Sequence, residues 1–150
     1  WKYCTKDNLD SCGSNRQYNT EKMISLKHAG STENAHWAID AIQKFEPEGC
    51  SEAFCRKTKW LLPSAKDLKL LCSGDTKSLV QKSLKLMKNI GAVATVYRYW
   101  SSTMASGSYV WASDCILVMT SETSGYCSDE CKMQMVARGS SLYVRPVVQF

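Results

Sequence analysis

Val93-Ala94-Thr95-Val96-Tyr97-Arg98-Tyr99-Trp100 is the stretch on which the fold class turns. β-Branched and aromatic side chains crowd it, and such residues suit a pleated, half-buried surface. Before it, apolar residues recur at helical spacing. After it, they run in short blocks between turn residues. Helices first and strands later predict an α+β fold, with helices packed on an antiparallel β meander, rather than a wound parallel sheet. The division puts a helical part at about residues 1–92 and a strand part at about 93–150. A chain of 150 residues suits one domain, 1–150, with one core.

On the helical side, Asn19-Thr20 reads as a cap before Glu21–Leu26, and Gly30 closes that helix. Ser31-Thr32 caps a second helix whose apolar positions are Ala35, Ala38, Ile39, Ile42 and Phe45, with Pro47 marking its end. Residues 46–58 read as a loop. Trp60-Leu61-Leu62-Pro63-Ser64 is a short strand running into a helix, with Ser64 as N-cap and Asp67 in the first turn. A further helix is expected over about 76–90, with Leu79, Val80, Leu84, Met87 and Ile90 on one face. Lys77, Lys82, Lys85 and Lys88 lie mainly off that face. A solvated helix surface accounts for them, although they carry the charge to meet anionic glycans or phosphates.

On the strand side, Ser101–Ser108 reads as a loop of small residues. Tyr109–Trp111 and Ile116–Met119 read as strand, with a bulge at Ala112–Asp114. Thr120–Asp129 reads as a polar turn, Lys132–Ala137 as an alternating strand and Arg138-Gly139-Ser140 as a turn. Leu142–Phe150 closes the chain as strand.

Cysteine usage sets the compartment. Eight cysteines, Cys4, Cys12, Cys50, Cys55, Cys72, Cys115, Cys127 and Cys131, point to disulfides and an oxidising environment. Their spacing suits zinc poorly, and the two histidines, His28 and His36, lie elsewhere. Eight cysteines allow 105 pairings. Proximity favours Cys4–Cys12, Cys50–Cys55 and Cys127–Cys131, which leaves Cys72–Cys115 as a long-range bridge. No apolar run approaches the roughly 20 residues that span a bilayer. The chain opens at Trp1, so a missing leader says nothing about export.

Chemistry-bearing patterns are sparse. The sequence has no G-x-S-x-G elbow, no H-E-x-x-H, no phosphate-binding glycine loop and no dinucleotide fingerprint. Cysteines held in bridges cannot act as nucleophiles. No catalytic residue, cofactor or metal is expected. A net charge of +5 spread over both halves does not mark a nucleic-acid binder. Binding features are better represented: Tyr97, Tyr99, Trp100, Tyr109 and Trp111 cluster around a serine- and glycine-rich segment. Aromatics beside small polar residues give large contact area at low entropy cost. Trp100 is expected in the core, and Tyr97, Tyr99, Tyr109 and Trp111 form the candidate ligand-binding set.

Four segments carry a resemblance. Trp60-Leu61-Leu62-Pro63-Ser64-Ala65-Lys66-Asp67-Leu68 is similar to the W-x-L-P-[ST]-x-x-E-L signature of the DUF1566, or Lcl-type, domains. Tyr99-Trp100-Ser101-Ser102-Thr103 matches their YWSS[ST], and Tyr143-Val144-Arg145-Pro146-Val147 resembles their terminal VR-x-V. Asn19-Thr20-Glu21-Lys22-Met23-Ile24 resembles a segment many members carry earlier. The set runs in the family's order from residue 19 to the C-terminus. Asp67 stands where the family often has Glu, and eight cysteines exceed what a typical member carries. The resemblance implies a C-type-lectin-like fold of the kind found in bacterial adhesins, pilus-associated modules and a collagen-like protein that binds sulfated glycosaminoglycans. The paired motifs of calcium-dependent sugar sites are not reproduced: Glu46-Pro47-Glu48 lacks the amide, and Trp111-Ala112-Ser113-Asp114 has no partner. Fold alone does not choose a ligand.

The expectation is an extracytoplasmic domain, secreted or held on a cell surface or pilus. It would recognise a glycan or surface protein of a host or neighbouring cell without catalysis. The alternative is a structural pilus or oligomer subunit whose aromatics pack between copies. An enzyme on this fold would need a reactive thiol. No nucleic-acid partner and no membrane insertion are expected.

Overall fold

The computed structural model describes residues 3–28, 36–71, 96–116, 118–120, 124–126 and 132–148. For residues 27–28, 36, 96–97 and 114–126 within these ranges the description extends to the backbone alone. The expected helix over 76–90, its lysine stripe, the Ser31-Thr32 cap and the cysteines Cys72, Cys127 and Cys131 lie outside the described residues, as does the side chain of Cys115.

The fold is α+β with antiparallel sheets. Helices α1 (Arg16–His28), α2 (His36–Lys44) and α3 (Ala65–Leu70) precede the main strands β2 (Val96–Met104), β3 (Tyr109–Ile116) and β6 (Lys132–Ala137). These three strands form one sheet in the order β2-β3-β6, so β3 is central. A short pair, β4 (Val118–Thr120) and β5 (Ser124–Tyr126), forms its own ladder. Strand β1 (Trp60–Leu61) pairs with β7 (Val147–Val148), tying the middle of the chain to its end. No helix among the described residues is long and apolar enough to cross a membrane.

Both faces of the sheet are covered. On one face Trp100, Met104 and Val110 pack with Met23 of α1, Ala38, Ile39 and Ile42 of α2, and Leu62. On the other, Trp111 packs with Leu9, Ala65 and the Cys4–Cys12 bridge. Side chains alternate along a strand, so Val110 and Trp111 serve opposite cores. The N-terminal loop, closed by Cys4–Cys12 with a Cα separation of 5.6 Å, is the lid of the second core. The second observed bridge, Cys50–Cys55, closes the 46–58 loop as its spacing suggests.

The start of α3 follows its sequence signals. Ser64 caps the helix by accepting from the Asp67 amide at 3.1 Å, and Asp67 accepts in return from the Ser64 amide at 2.8 Å. The other Asp67 oxygen receives Arg16 Nη1 of α1 at 2.8 Å. An aspartate at this position thus closes the capping box and fastens α1 to α3.

Other expectations change. Helix α1 begins at Arg16, capped by Asn15, whose side chain accepts from the Tyr18 amide at 2.9 Å. Asn19 and Thr20 are therefore buried helix residues and not caps. Asn19 Nδ2 donates to the Gly13 carbonyl at 2.8 Å, and Thr20 Oγ1 accepts from the Leu62 amide at 3.1 Å. Strand β2 runs on through Met104, and the loop shrinks to 105–108. Strand β3 pairs with β6 without a break from Tyr109 to Asp114, so no bulge lies at 112–114. The irregularity sits on β2, where Trp100 pairs with Ala112 and Met104 with Val110, leaving Ser101, Ser102 and Thr103 opposite Trp111. Among the described residues of the C-terminal segment only Val147–Val148 forms a strand, residues 149–150 lying outside them, and Tyr143 makes an isolated parallel bridge to Tyr99.

Short hydroxyl side chains make that bulge possible, because they can bond backbone locally. Ser101 Oγ donates to the Trp111 carbonyl at 2.5 Å, and the Ser102 amide donates to the Pro63 carbonyl at 2.7 Å. Thr103 Oγ1 accepts from the Ala65 amide at 2.9 Å and donates to the Gly13 carbonyl at 3.1 Å. Gly13 adopts φ +62°, and a Cβ there would lie 2.9 Å from the Thr103 methyl. Thr103→Val keeps the shape but orphans the buried Ala65 amide and leaves the Gly13 carbonyl with Asn19 Nδ2 as donor, which costs about 1–3 kcal/mol. A fall in melting temperature of roughly 3–10 °C is expected by circular dichroism.

Candidate functional site

Of the four aromatics singled out in the sequence, the three whose side chains are described do not converge. Tyr97 lies on β2 with its backbone paired to Cys115; its side chain is outside the described residues. Tyr99 is half-buried, with its ring centroid 6.4 Å from that of Tyr143 and the Arg145 guanidinium 5.8 Å from its own. Tyr109 is exposed at the start of β3. Trp111 is 4% exposed, and its indole N–H donates to the Cys4 carbonyl at 2.9 Å. It is therefore a core residue and not a surface contact, because the stapled N-terminal loop covers the face it occupies. Trp100 is core, as expected, at 4% exposure. Tyr99 lies opposite Ser113, four residues along β3 from Tyr109, a separation of about 13 Å along the strand. Buried Trp111 lies between those two positions on β3.

The structure instead offers a groove of about 420 Å³ between α2 and residues 140–144. Helix α2 contributes Trp37, Ala38 and Ala41, the opposite wall is the chain from Ser140 to Val144, and buried Trp100 lines it as well. The volume falls within the roughly 300–1,000 Å³ of small-ligand clefts. The walls are positioned by the first core. Ala38, Ile39 and Ile42 anchor α2 on the sheet, and Leu142 and Val144 pack against the same cluster. Two backbone bonds hold the far wall: the Trp100 amide donates to the Tyr143 carbonyl at 3.0 Å, and the Tyr143 amide to the Arg98 carbonyl at 2.9 Å.

Trp37 is the residue that sequence reading missed. It is 69% exposed, an unusual position for the largest apolar side chain on a helix otherwise anchored in the core. A signal was present: at 100° per residue, position 37 falls well off the stripe made by Ala38, Ile39, Ile42 and Phe45. Phe45 stays with that stripe and meets Trp60 edge-on at 4.8 Å. An aromatic residue outside an otherwise consistent apolar stripe is a candidate contact.

Among the described residues, no group of three or more His, Cys, Asp or Glu side chains is placed to hold a metal ion. Exposed apolar side chains also gather away from the groove. Tyr3, Tyr109 and Met135 are exposed, and the Tyr3 hydroxyl approaches Gly107, two residues before Tyr109. Comparison with protein-family models, curated proteins and solved structures finds no match to this chain.

Proposed function

We propose that this chain is an extracytoplasmic recognition or adhesion domain of the C-type-lectin-like kind. It takes a glycan in the groove between α2 and residues 140–144 and performs no catalysis. The observation that carries this reading is Trp37, exposed at 69% on the wall of a 420 Å³ groove. An indole in that position presents a flat apolar face on which a sugar ring can stack. Relatedness to the DUF1566, or Lcl-type, domains is part of the proposal. In its support, the segments carrying the resemblance bond to one another: Thr20 to Leu62, Ser102 to Pro63, Thr103 to Ala65 and Trp100 to Tyr143. Two buried or half-buried disulfides support an oxidising compartment, and display on a cell surface or pilus follows from the same kinship.

A glycan-array screen of the oxidised protein, run with calcium and with chelator, tests the reading. Binding is expected to survive chelation. Trp37→Ala is expected to weaken it at least roughly thirtyfold, as loss of a central aromatic contact does. Its melting temperature should stay within about 2 °C of the parent, because the side chain is exposed. Binding that Trp37→Ala leaves intact would remove the groove from the proposal.

A structural role is the second reading, favoured by the exposed Tyr3, Tyr109 and Met135. A pilus or oligomer subunit would cover that patch with another copy. Concentration-dependent association in sedimentation, lost in Tyr109→Ala, would support it.

A further inference from the structure

We infer that the groove selects an uncharged pyranoside, laid with its C–H face on Trp37, over acidic or sulfated sugars. This rests on the glycan reading of the same groove and names its ligand class. Among the described residues, none that lines the groove carries a formal charge: the walls are Trp37, two alanines and residues 140–144, with Trp100 lining it too. A carboxylate or sulfate entering this space would lose hydration without a cation to replace it, which is costly in a partly enclosed apolar site. Arg145 is not among the lining residues and sits over the Tyr99 ring, 5.8 Å from its centroid. The overall charge of +5 is therefore no guide to the ligand of this groove.

Shape supports the same ligand. Ala41 follows Trp37 by one helical turn on the same side of α2, and both line the groove. A long side chain at 41 would lean back over the preceding turn; alanine leaves the surface beside the indole bare. A flat ring can lie there while its hydroxyl edge meets the opposite wall, where Ser140 and Ser141 supply hydroxyls. Neutral pyranosides have this division between an apolar face and a hydroxyl-bearing rim.

The test uses the full oxidised chain and matched sugars. Neutral galactans and glucans are compared with polygalacturonate and with sulfated glycans, in low and in physiological salt, for the parent, Trp37→Ala and Ala41→Leu. At least tenfold preference for a neutral glycan is expected, nearly independent of salt and lost in both variants. Position 41 is exposed, so Ala41→Leu keeps the fold and blocks by occupancy alone. Binding of acidic glycans that falls steeply with salt, yet is lost in both variants, would overturn the neutral-ligand inference and leave glycan recognition standing. Neutral-glycan binding unaffected by either variant would overturn the inference by placing the ligand elsewhere. No binding to any glycan would overturn both readings, as would a proline-rich peptide that binds and is displaced by Ala41→Leu.

Discussion

Trp111→Ala is expected to lower the melting temperature by roughly 10–15 °C. Truncating a buried tryptophan costs about 3–5 kcal/mol through lost burial and the cavity left behind. The Cys4 carbonyl also loses the indole N–H that donates to it at 2.9 Å. Tyr109→Ala, two residues earlier on the same face of β3, should leave the melting temperature within about 2 °C, because Tyr109 is 47% exposed. Trp111→Phe fills most of the space but cannot donate, so it isolates the hydrogen bond at about 1–3 kcal/mol. Equal effects of Trp111→Ala and Tyr109→Ala would show that the N-terminal loop does not seal the second core.

Removing the Cys4–Cys12 bridge with Cys4→Ala and Cys12→Ala should destabilise by about 4 kcal/mol in total. Loop entropy supplies about 2–3 kcal/mol of this. The remainder comes from thinning a packed cluster, since the two cysteines are only 2% and 5% exposed and pack with Leu9, Ala65 and Trp111. Cys50→Ala with Cys55→Ala releases a loop of similar length, so the entropic part is alike at about 2 kcal/mol. Cys50, however, is half-buried, and Cys55, though buried, belongs to neither core cluster. Thermal denaturation should thus rank the first pair near twice the second. Loosening the N-terminal loop also uncovers Trp111, and a red shift in tryptophan emission should accompany the first pair and not the second. The reverse order would mean that the loop clamps the sheet without help from its disulfide.

Where sequence signals were local, they read through to the structure. Ser64 and Asp67 stand three residues apart, the spacing of a capping box, and they form one. Ala38, Ile39 and Ile42 follow the helical period and are buried together. Cys4–Cys12 and Cys50–Cys55 pair as neighbours in sequence. Asn19-Thr20 and Ser101-Ser102-Thr103 misled for one shared reason. Small polar residues suit caps and loops because their side chains bond nearby backbone, but here most of their partners belong to segments far off in sequence. Thr20 reaches Leu62, Thr103 reaches both Gly13 and Ala65, and Asn19, besides Gly13 six residues away, reaches the Ser102 hydroxyl. Buried in that way, they read as surface to any rule that looks only at neighbours.

The candidate site shows the same division. Aromatic content between Tyr97 and Trp111 was plain, yet alternation on a strand says only that neighbours face opposite ways. Both faces of β3 are covered, one by α1 and α2 and the other by the stapled loop of residues 4–12. No periodicity in β3 itself announces that second cover. Trp37 was visible as an aromatic off the apolar stripe of α2, but its value depends on the chain from Ser140 to Val144 lying beside it. The sequence by itself determined the α+β class, the capping box of α3 and the two local staples, because propensity, capping and short loop closure act within a few residues. Which aromatics are core and which meet solvent was decided by tertiary structure alone, because burial depends on what packs from elsewhere in the chain.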